Sequence, residues 1–264
     1  MINLVPIEYP GIKEVIKNID FYKEKFLNDS VIVFRNANLS LDEQREFHLE
    51  LGKHFNWKTL NTQYYEESHE RNPAVGVVGC DEIMLNWHIE HFSYSNPIVA
   101  GTWNMFNFSC SSECGKTYFV DTSLVYKILN KDMQNFLKSC ILDNGGIDNV
   151  SQFSKSSLYF PVLEHWYTKI PVIRLPLHDR YVKLNSVNKK IPTDKDCEQF
   201  ETIRKEIINI IKNNEKIRIV QKWKQGDLVL MDAFKLAHAV TGGFNSEDRT
   251  FFGIWGHRDS IDNE

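Results

Sequence analysis

The seven residues Asn86-Trp87-His88-Ile89-Glu90-His91-Phe92 crowd two imidazoles and a carboxylate into four positions. Side chains of these types can hold a divalent metal, provided they point the same way. On a β-strand they alternate between faces, so His88 and Glu90 share one face while His91 takes the other. A second imidazole must then come from elsewhere in the chain. The stretch Gly226–Gly243, GDLVLMDAFKLAHAVTGG, offers His238. Its Leu228–Asp232 reads as a strand and Gly242-Gly243 as a turn, which leaves His238 near a strand end. Two histidines and one carboxylate on adjoining strands would occupy one face of a non-haem Fe(II). Three positions then stay open, enough for a bidentate acid and O2.

His-x-Glu by itself fits equally well a buried, hydrogen-bonded histidine beside an exposed glutamate. Arg249 adds weight to the metal reading. It lies eleven residues after His238, across a turn rich in Gly, Asn and Asp, so a hairpin can set it beside the metal. Its planar guanidinium suits two-point pairing with a carboxylate, although taken alone it would read as a solvated turn arginine. Along the same strand Arg249, Phe251, Gly253 and Trp255 share a face and should line one cavity.

These residues need a scaffold, and the sequence outlines one. Val31–Phe34 is β-branched and aromatic, a buried strand. Ser40 with Glu43 forms a capping box for a helix carrying Phe47, Leu51 and Phe55 at helical spacing. On this reading His48 and His54 are surface or cap residues. From Ala74 onward come short segments rich in Val, Ile, Thr and aromatics: AVGVVG, NWHIEHF, IVAGTWNMFNFS and KTYFVDTS. Helical periodicity through Leu124, Ile128, Met133 and Leu137 interrupts them. VIRLPLHDRYVKLN reads as strand, turn, strand, and CEQFETIRKEIINIIKNN as an amphipathic helix. IRIVQKWKQGDLVLMDAFKLAHAV and DRTFFGIWGHRD return to strands. Many short strands with a few helices outside make a mainly β sandwich or barrel with flanking helices. No linker or repeat divides residues 1–264, so a single domain is expected.

Composition narrows the function classes. The 264 residues are 42% hydrophobic and 25% charged, ordinary for a globular protein. A net charge of −4 offers no general attraction to a phosphate backbone, which argues against nucleic-acid binding. The five cysteines Cys80, Cys110, Cys114, Cys140 and Cys197 are an odd, scattered set, read as free thiols in a reducing compartment. The N-terminal MINLVPIEYPGIKEV has neither a basic nor an apolar leader region, and no run suits a membrane span. A cytoplasmic protein acting on a small molecule is the expectation, with a homo-oligomer left open.

The segments resemble those of the TauD/TfdA family of Fe(II)- and 2-oxoglutarate-dependent dioxygenases, within the group that includes clavaminate-synthase-like amino acid hydroxylases. VIVFRNANLSLDEQREFHLELG is similar to the family's N-terminal strand and helix, and NWHIEHF to its WH-x-D/E segment. CGKTYFVDTS is similar to its GGDT stretch, and LMDAFKLAHAVTGGFNSEDRTFFGIW to its distal His and Arg. The resemblance implies a double-stranded β-helix, or jelly roll. It implies that His88, Glu90 and His238 ligate Fe(II), that Arg249 pairs with the distal carboxylate of 2-oxoglutarate, and that Thr117 hydrogen-bonds to it. It further implies O2 consumption with release of succinate and CO2. Glu90 stands where Asp is usual, and halogenases of this type have Ala or Gly there. Lys116 replaces the Asp of GGDT. Gly253 replaces a second Arg of taurine-type members, which argues against a sulfonate bound in the same way.

Asn86, Asn104, Tyr118, Phe251 and Trp255 are candidates for the substrate wall, with Arg258, Arg180, Lys183 and Asn185 as more polar ones. The expected reaction is hydroxylation of a small polar metabolite, such as an amino acid or derivative. Desaturation or cyclisation is the variant within the family. A hydrolase or isomerase using another divalent metal on the same jelly roll is the rival, although it gives Arg249 and Thr117 no task. A scaffold without catalysis is a further one.

Overall fold

The computed structural model of the protein describes residues 2–59, 65–66, 79–90, 97–143, 158–177 and 183–258. Its strands begin with β1 (Ile2–Asn3), β2 (Ile7–Glu8), β3 (Val31–Arg35), β4 (Lys58–Thr59), β5 (Tyr65–Glu66), β6 (Ile83–Ile89), β7 (Ile98–Phe108) and β8 (Thr117–Asp121). They continue with β9 (Cys140–Asp143), β10 (Leu158–Tyr159), β11 (Val162–Glu164), β12 (Pro171–Ile173), β13 (Lys183–Val187), β14 (Arg218–Gln221), β15 (Leu228–Met231), β16 (Leu236–Thr241) and β17 (Arg249–His257). The helices are α1 (Ile12–Lys17), α2 (Ile19–Asp29), α3 (Leu41–Phe55), α4 (Thr122–Ile128), α5 (Lys131–Ser139) and α6 (Asp194–Asn213).

Two sheets make the body. One runs β2-β3-β15-β7-β17-β4, with β5 also on β17, and the other runs β1-β14-β8-β16-β6. Pairing is antiparallel except for β1 on β14 and β2 on β3. Between the sheets lies a core of Val31, Val33, Trp103, Val229 and Met231 from the first sheet, meeting Phe119, Ile219 and Leu236 from the second. Helices cover the outer faces. Phe26, Phe47 and Leu51 of α2 and α3 pack on Phe34, Leu228 and Leu230. On the opposite side Val125, Leu137, Phe200 and Ile207 of α4, α5 and α6 pack on Trp87, Ile89 and Val120. With both faces covered, β3 and β15 are buried at consecutive positions (VIVF and LVLM) rather than alternately. The result is the mainly β jelly roll with flanking helices.

α3 begins where the capping box puts it: the Ser40 hydroxyl accepts from the Glu43 amide, and the Glu43 carboxylate accepts from the Ser40 amide. Its buried face holds Gln44, Phe47, His48, Leu51, Gly52 and Phe55, a stripe three residues wide every two turns. Each large apolar side chain there contributes roughly 1.5–3 kcal/mol by burial. His48 is therefore a core residue and not a surface or cap one. It lies against Thr102 of β7, Nδ1 to Oγ1 3.1 Å, whereas His54 is exposed in the last turn. The periodicity through Leu124 and Leu137 is also two helices rather than one. Leu129 ends α4, and the Asn130 side chain caps α5 by accepting from the Met133 amide. No helix among the described residues is long and apolar enough to cross a membrane.

Candidate metal centre

β16 lies between β8 and β6, and its register sets His238 directly opposite both His88 and Phe119. His238 is the third residue of β16, so it sits inside a strand and not near its end, held by ladders on either side. Glu90 follows β6 immediately. Its Oε1 lies 3.5 Å from His88 Nε2 and 3.4 Å from His238 Nε2. One donor atom from each of the three residues falls within 4.8 Å of the others, close enough to hold a metal ion. His91, the imidazole that alternation turned away, lies outside the described residues, as does Arg180.

The surroundings suit that task. His88 Nδ1 donates to the Asn86 carbonyl at 2.8 Å, which fixes the tautomer and leaves Nε2 as the acceptor facing Glu90. His238 is buried beneath the edge of Trp103, with ring centroids 5.1 Å apart. Burial pulls its pKa down to about 3, and the charges of His88 and Arg249 push the same way against the opposing pull of Glu90. The imidazole therefore stays neutral, the form a metal requires. His88 and Glu90 keep about a fifth of their side-chain surface exposed, so the cluster opens on their side. Two imidazoles and a carboxylate fit a divalent first-row ion, and a three-residue set leaves coordination positions for small ligands.

Arg249 opens β17 and is fully buried. Its guanidinium carbon stands 4.8 Å from the Phe251 ring, 5.3 Å from Phe244 and 5.9 Å from Trp223. Gly115 lets this cluster close up, because a Cβ there would come within 3.1 Å of Phe244 and 3.4 Å of Arg249 Cδ. Thr117, also fully buried, accepts a 2.9 Å hydrogen bond from Trp223 Nε1. Trp223 thus touches both residues that the sequence singled out for an acid. Nothing in QKWKQGD marks it, since its partners come from two other strands.

The thiol reading needs correcting. Cys80 and Cys114 form a disulfide, while Cys110, Cys140 and Cys197 are free. The pair joins the segment before β6 to the loop before β8, two places 34 residues apart that only folding brings together. Lys116 Nζ binds Asp81 at 2.8 Å across the same junction, and the Gly115 amide donates to the Gly242 carbonyl. Lys116 therefore braces a loop where the GGDT pattern has an acid.

The substrate candidates divide. Phe251 and Trp255 both meet Trp103, at 5.3 and 5.9 Å between ring centroids, and Gly253 faces its indole. Asn86 is exposed beside His88. Asn104 and Tyr118 each follow a residue that faces inward and so turn outward. Asn104 donates to the Leu39 carbonyl at 2.7 Å, under the helical layer. Tyr118 stacks on Trp87, with Arg218 4.9 Å from its ring. Lys183 and Asn185 are exposed on β13, and Arg258 lies over Trp166.

A jelly roll with such a donor set facing its interior is the architecture of a metal-dependent enzyme. Residues 16–255 match the model of the family described as "Taurine catabolism dioxygenase TauD, TfdA family", and the chain belongs to that family. It is an Fe(II)/2-oxoglutarate-dependent oxygenase, with Fe(II), 2-oxoglutarate and O2 as its cofactor and cosubstrates. Solved structures share the fold. One is AAD-2 in complex with Mn(II) and N-oxalylglycine, at 17% identity and TM-score 0.64 over 97% of this chain and 93% of that one. Another is a taurine dioxygenase from Burkholderia xenovorans, at 15% identity and TM-score 0.63 over 100% of this chain and 88% of that one. A putative alpha-ketoglutarate-dependent taurine dioxygenase from the same organism gives 12% identity and TM-score 0.63, over 94% and 90%. No curated protein matches the sequence.

Proposed function

We propose that residues 1–264 act as one dioxygenase domain in which His88, Glu90 and His238 hold the Fe(II). Arg249 and Thr117 receive the distal carboxylate of 2-oxoglutarate, and the substrate is a small polar metabolite, a free amino acid or a derivative, that becomes hydroxylated. The observation that carries the reading is the convergence of the three donor atoms within 4.8 Å, with a buried guanidinium near enough for its charge to act on His238.

When bound, iron with 2-oxoglutarate and O2 supplies the oxidising chemistry, and succinate and CO2 are its by-products. The protein contributes placement. Arg249, cased in Phe244, Phe251 and Trp223, offers a cation in a dry setting, where a carboxylate binds more strongly than in water. Trp223 orients the Thr117 hydroxyl by donating to it, which leaves the hydroxyl proton available to the acid. His88 is kept in one tautomer by Asn86. The apolar wall of Trp103, Phe119 and Phe251 keeps water from the buried side.

Two features bear on the substrate. Glu90 supplies a carboxylate where a halide would otherwise have to enter, which favours hydroxylation over halogenation. Gly253 stands where a sulfonate-binding arginine would be, and a Cβ there would meet Trp103 at 3.2 Å. Any side chain at that position requires the Trp103 indole to give by a few tenths of an ångström. The test is succinate release across a library of amino acids and related acids, with Fe(II), 2-oxoglutarate and ascorbate. At least one compound should raise succinate well above the substrate-free rate. A library that gives no such rise overturns the substrate class, and a His238→Ala variant as active as the wild type overturns the site.

A further inference from the structure

Arg174 directly follows β12, far in sequence from either half of the metal centre, and its guanidinium is fully buried. Nη1 donates to the Phe234 carbonyl at 2.6 Å and Nη2 to the Glu90 carbonyl at 3.0 Å. The Phe234 ring lies 4.6 Å below it. Phe234 belongs to the turn between β15 and β16, four residues before His238. Glu90 lies two residues after His88, just past the end of β6. The β6–β16 ladder pairs His88 with His238 and Ile89 with Ala237. Arg174 grips both chains just past that last pair, at the end where the ladder stops.

We propose that Arg174 is a positioning residue of the metal centre, whose two-point grip on the Glu90 and Phe234 carbonyls sets the Glu90 carboxylate against the imidazoles of His88 and His238. The inference rests on the assignment of those three residues as the metal site. Three physical points support it. First, Glu90 lies beyond the regular strand, so the β6–β16 ladder does not fix its backbone, and Arg174 makes the next link. Second, burying a guanidinium is costly, and the nearby carboxylates, Asp232 first and Glu90 second, offset that cost only in part. A core that needed only packing would be served by an apolar side chain of similar volume. Third, the fork geometry is specific to arginine: an ammonium is a point donor and cannot span two carbonyls in one plane. The turn it grips is itself braced. The Asp232 carboxylate accepts from the Phe234 amide at 3.2 Å and meets His165 Nε2 at 2.8 Å, and the Lys235 carbonyl accepts from the Thr122 amide and hydroxyl.

The experiment is an anaerobic Co(II) titration of the full chain, following the d–d absorption of the bound ion, on wild type, Arg174→Lys, Arg174→Met and His238→Ala. Far-UV circular dichroism and apo melting temperature are recorded alongside. Outer residues that orient ligands change metal affinity by about 10- to 100-fold. Arg174→Met should weaken Co(II) by about that factor and alter the absorption envelope. Arg174→Lys should recover part of the affinity. Should Arg174→Met not fold, the lysine variant carries the test on its own through the same affinity and spectrum. Wild-type affinity and envelope in a folded Arg174 variant would overturn the proposal. Wild-type protein that binds Co(II) no better than His238→Ala would instead overturn the metal site itself.

Discussion

His88 and His238 face each other across the β6–β16 ladder, and their rings stand 4.0 Å apart between centroids. Hydrogen bonding between strands, and not a flexible loop, therefore sets the spacing of the two imidazoles. Glu90 completes the set from just past the strand end.

That asymmetry should appear in substitutions. Glu90→Ala removes a charged donor, and metal affinity should fall by more than the about 100-fold upper range for residues that merely orient ligands. Glu90→Asp keeps the charge but shortens the reach, so it should bind metal at intermediate strength. Co(II) titration measures both. An alanine variant with wild-type affinity would remove Glu90 from the site.

Arg249→Lys keeps a cation among Trp223, Phe244 and Phe251 but loses two-point pairing. A hydrogen bond to a charged group contributes about 1.5–3 kcal/mol, so the KM for 2-oxoglutarate should rise about 10- to 100-fold. Trp223→Phe retains the stack on Phe251 and removes only the donor to Thr117, so its effect should be in the same direction and smaller. Initial rates against 2-oxoglutarate concentration decide both, and an unchanged KM in Arg249→Lys would count against the acid-binding role.

Cys80 is partly exposed while Cys114 is buried, so a reductant can reach the disulfide. Closing a loop of 34 residues stabilises the fold by roughly 3–4 kcal/mol in the chain-entropy account. A phosphine reductant, or Cys80→Ser with Cys114→Ser, should lower the melting temperature by several degrees. The bond lies against Gly243, next to the Phe244 that packs on Arg249, so 2-oxoglutarate affinity should fall as well. Identical melting curves with and without reductant would show that the bond contributes nothing.

His48 predicts a pH dependence. Burial, then the charge of His257, holds its pKa down to about 3 in the folded state against the ordinary 6.5. Below pH 6.5 the unfolded chain takes up a proton that the folded one refuses. The stability due to the neutral form is thus complete above 6.5 and is lost as pH falls toward 3. Between pH 7 and pH 5 the loss is about 2 kcal/mol. Asp227 titrates nearby with opposite sign, its pKa raised to about 6 by burial, so the comparison must be between wild type and His48→Gln. Urea unfolding at the two pH values should show a smaller drop for the variant, and equal drops would contradict the assignment.

Much of the site could be read from local rules. Strand alternation set His88 and Glu90 on one side although Glu90 falls just past β6, the capping box placed the start of α3, and the Gly- and Asn-rich turn before Arg249 allowed the hairpin that seats it. These depend on neighbours in sequence, which the chain prints directly. Other features depend on pairing between distant segments. His238 became the partner of His88 through a register that its own sequence does not encode. Asn104 and Tyr118 turned outward because Trp103 and Phe119 claimed the inner faces. Trp223, Arg174 and the Cys80–Cys114 bond acquire their roles only when strands far apart in the chain are stacked. Local periodicity determined which face each residue offers, and tertiary packing decided which faces meet, because the burial and hydrogen-bond energies that choose between registers are shared among segments no short window contains.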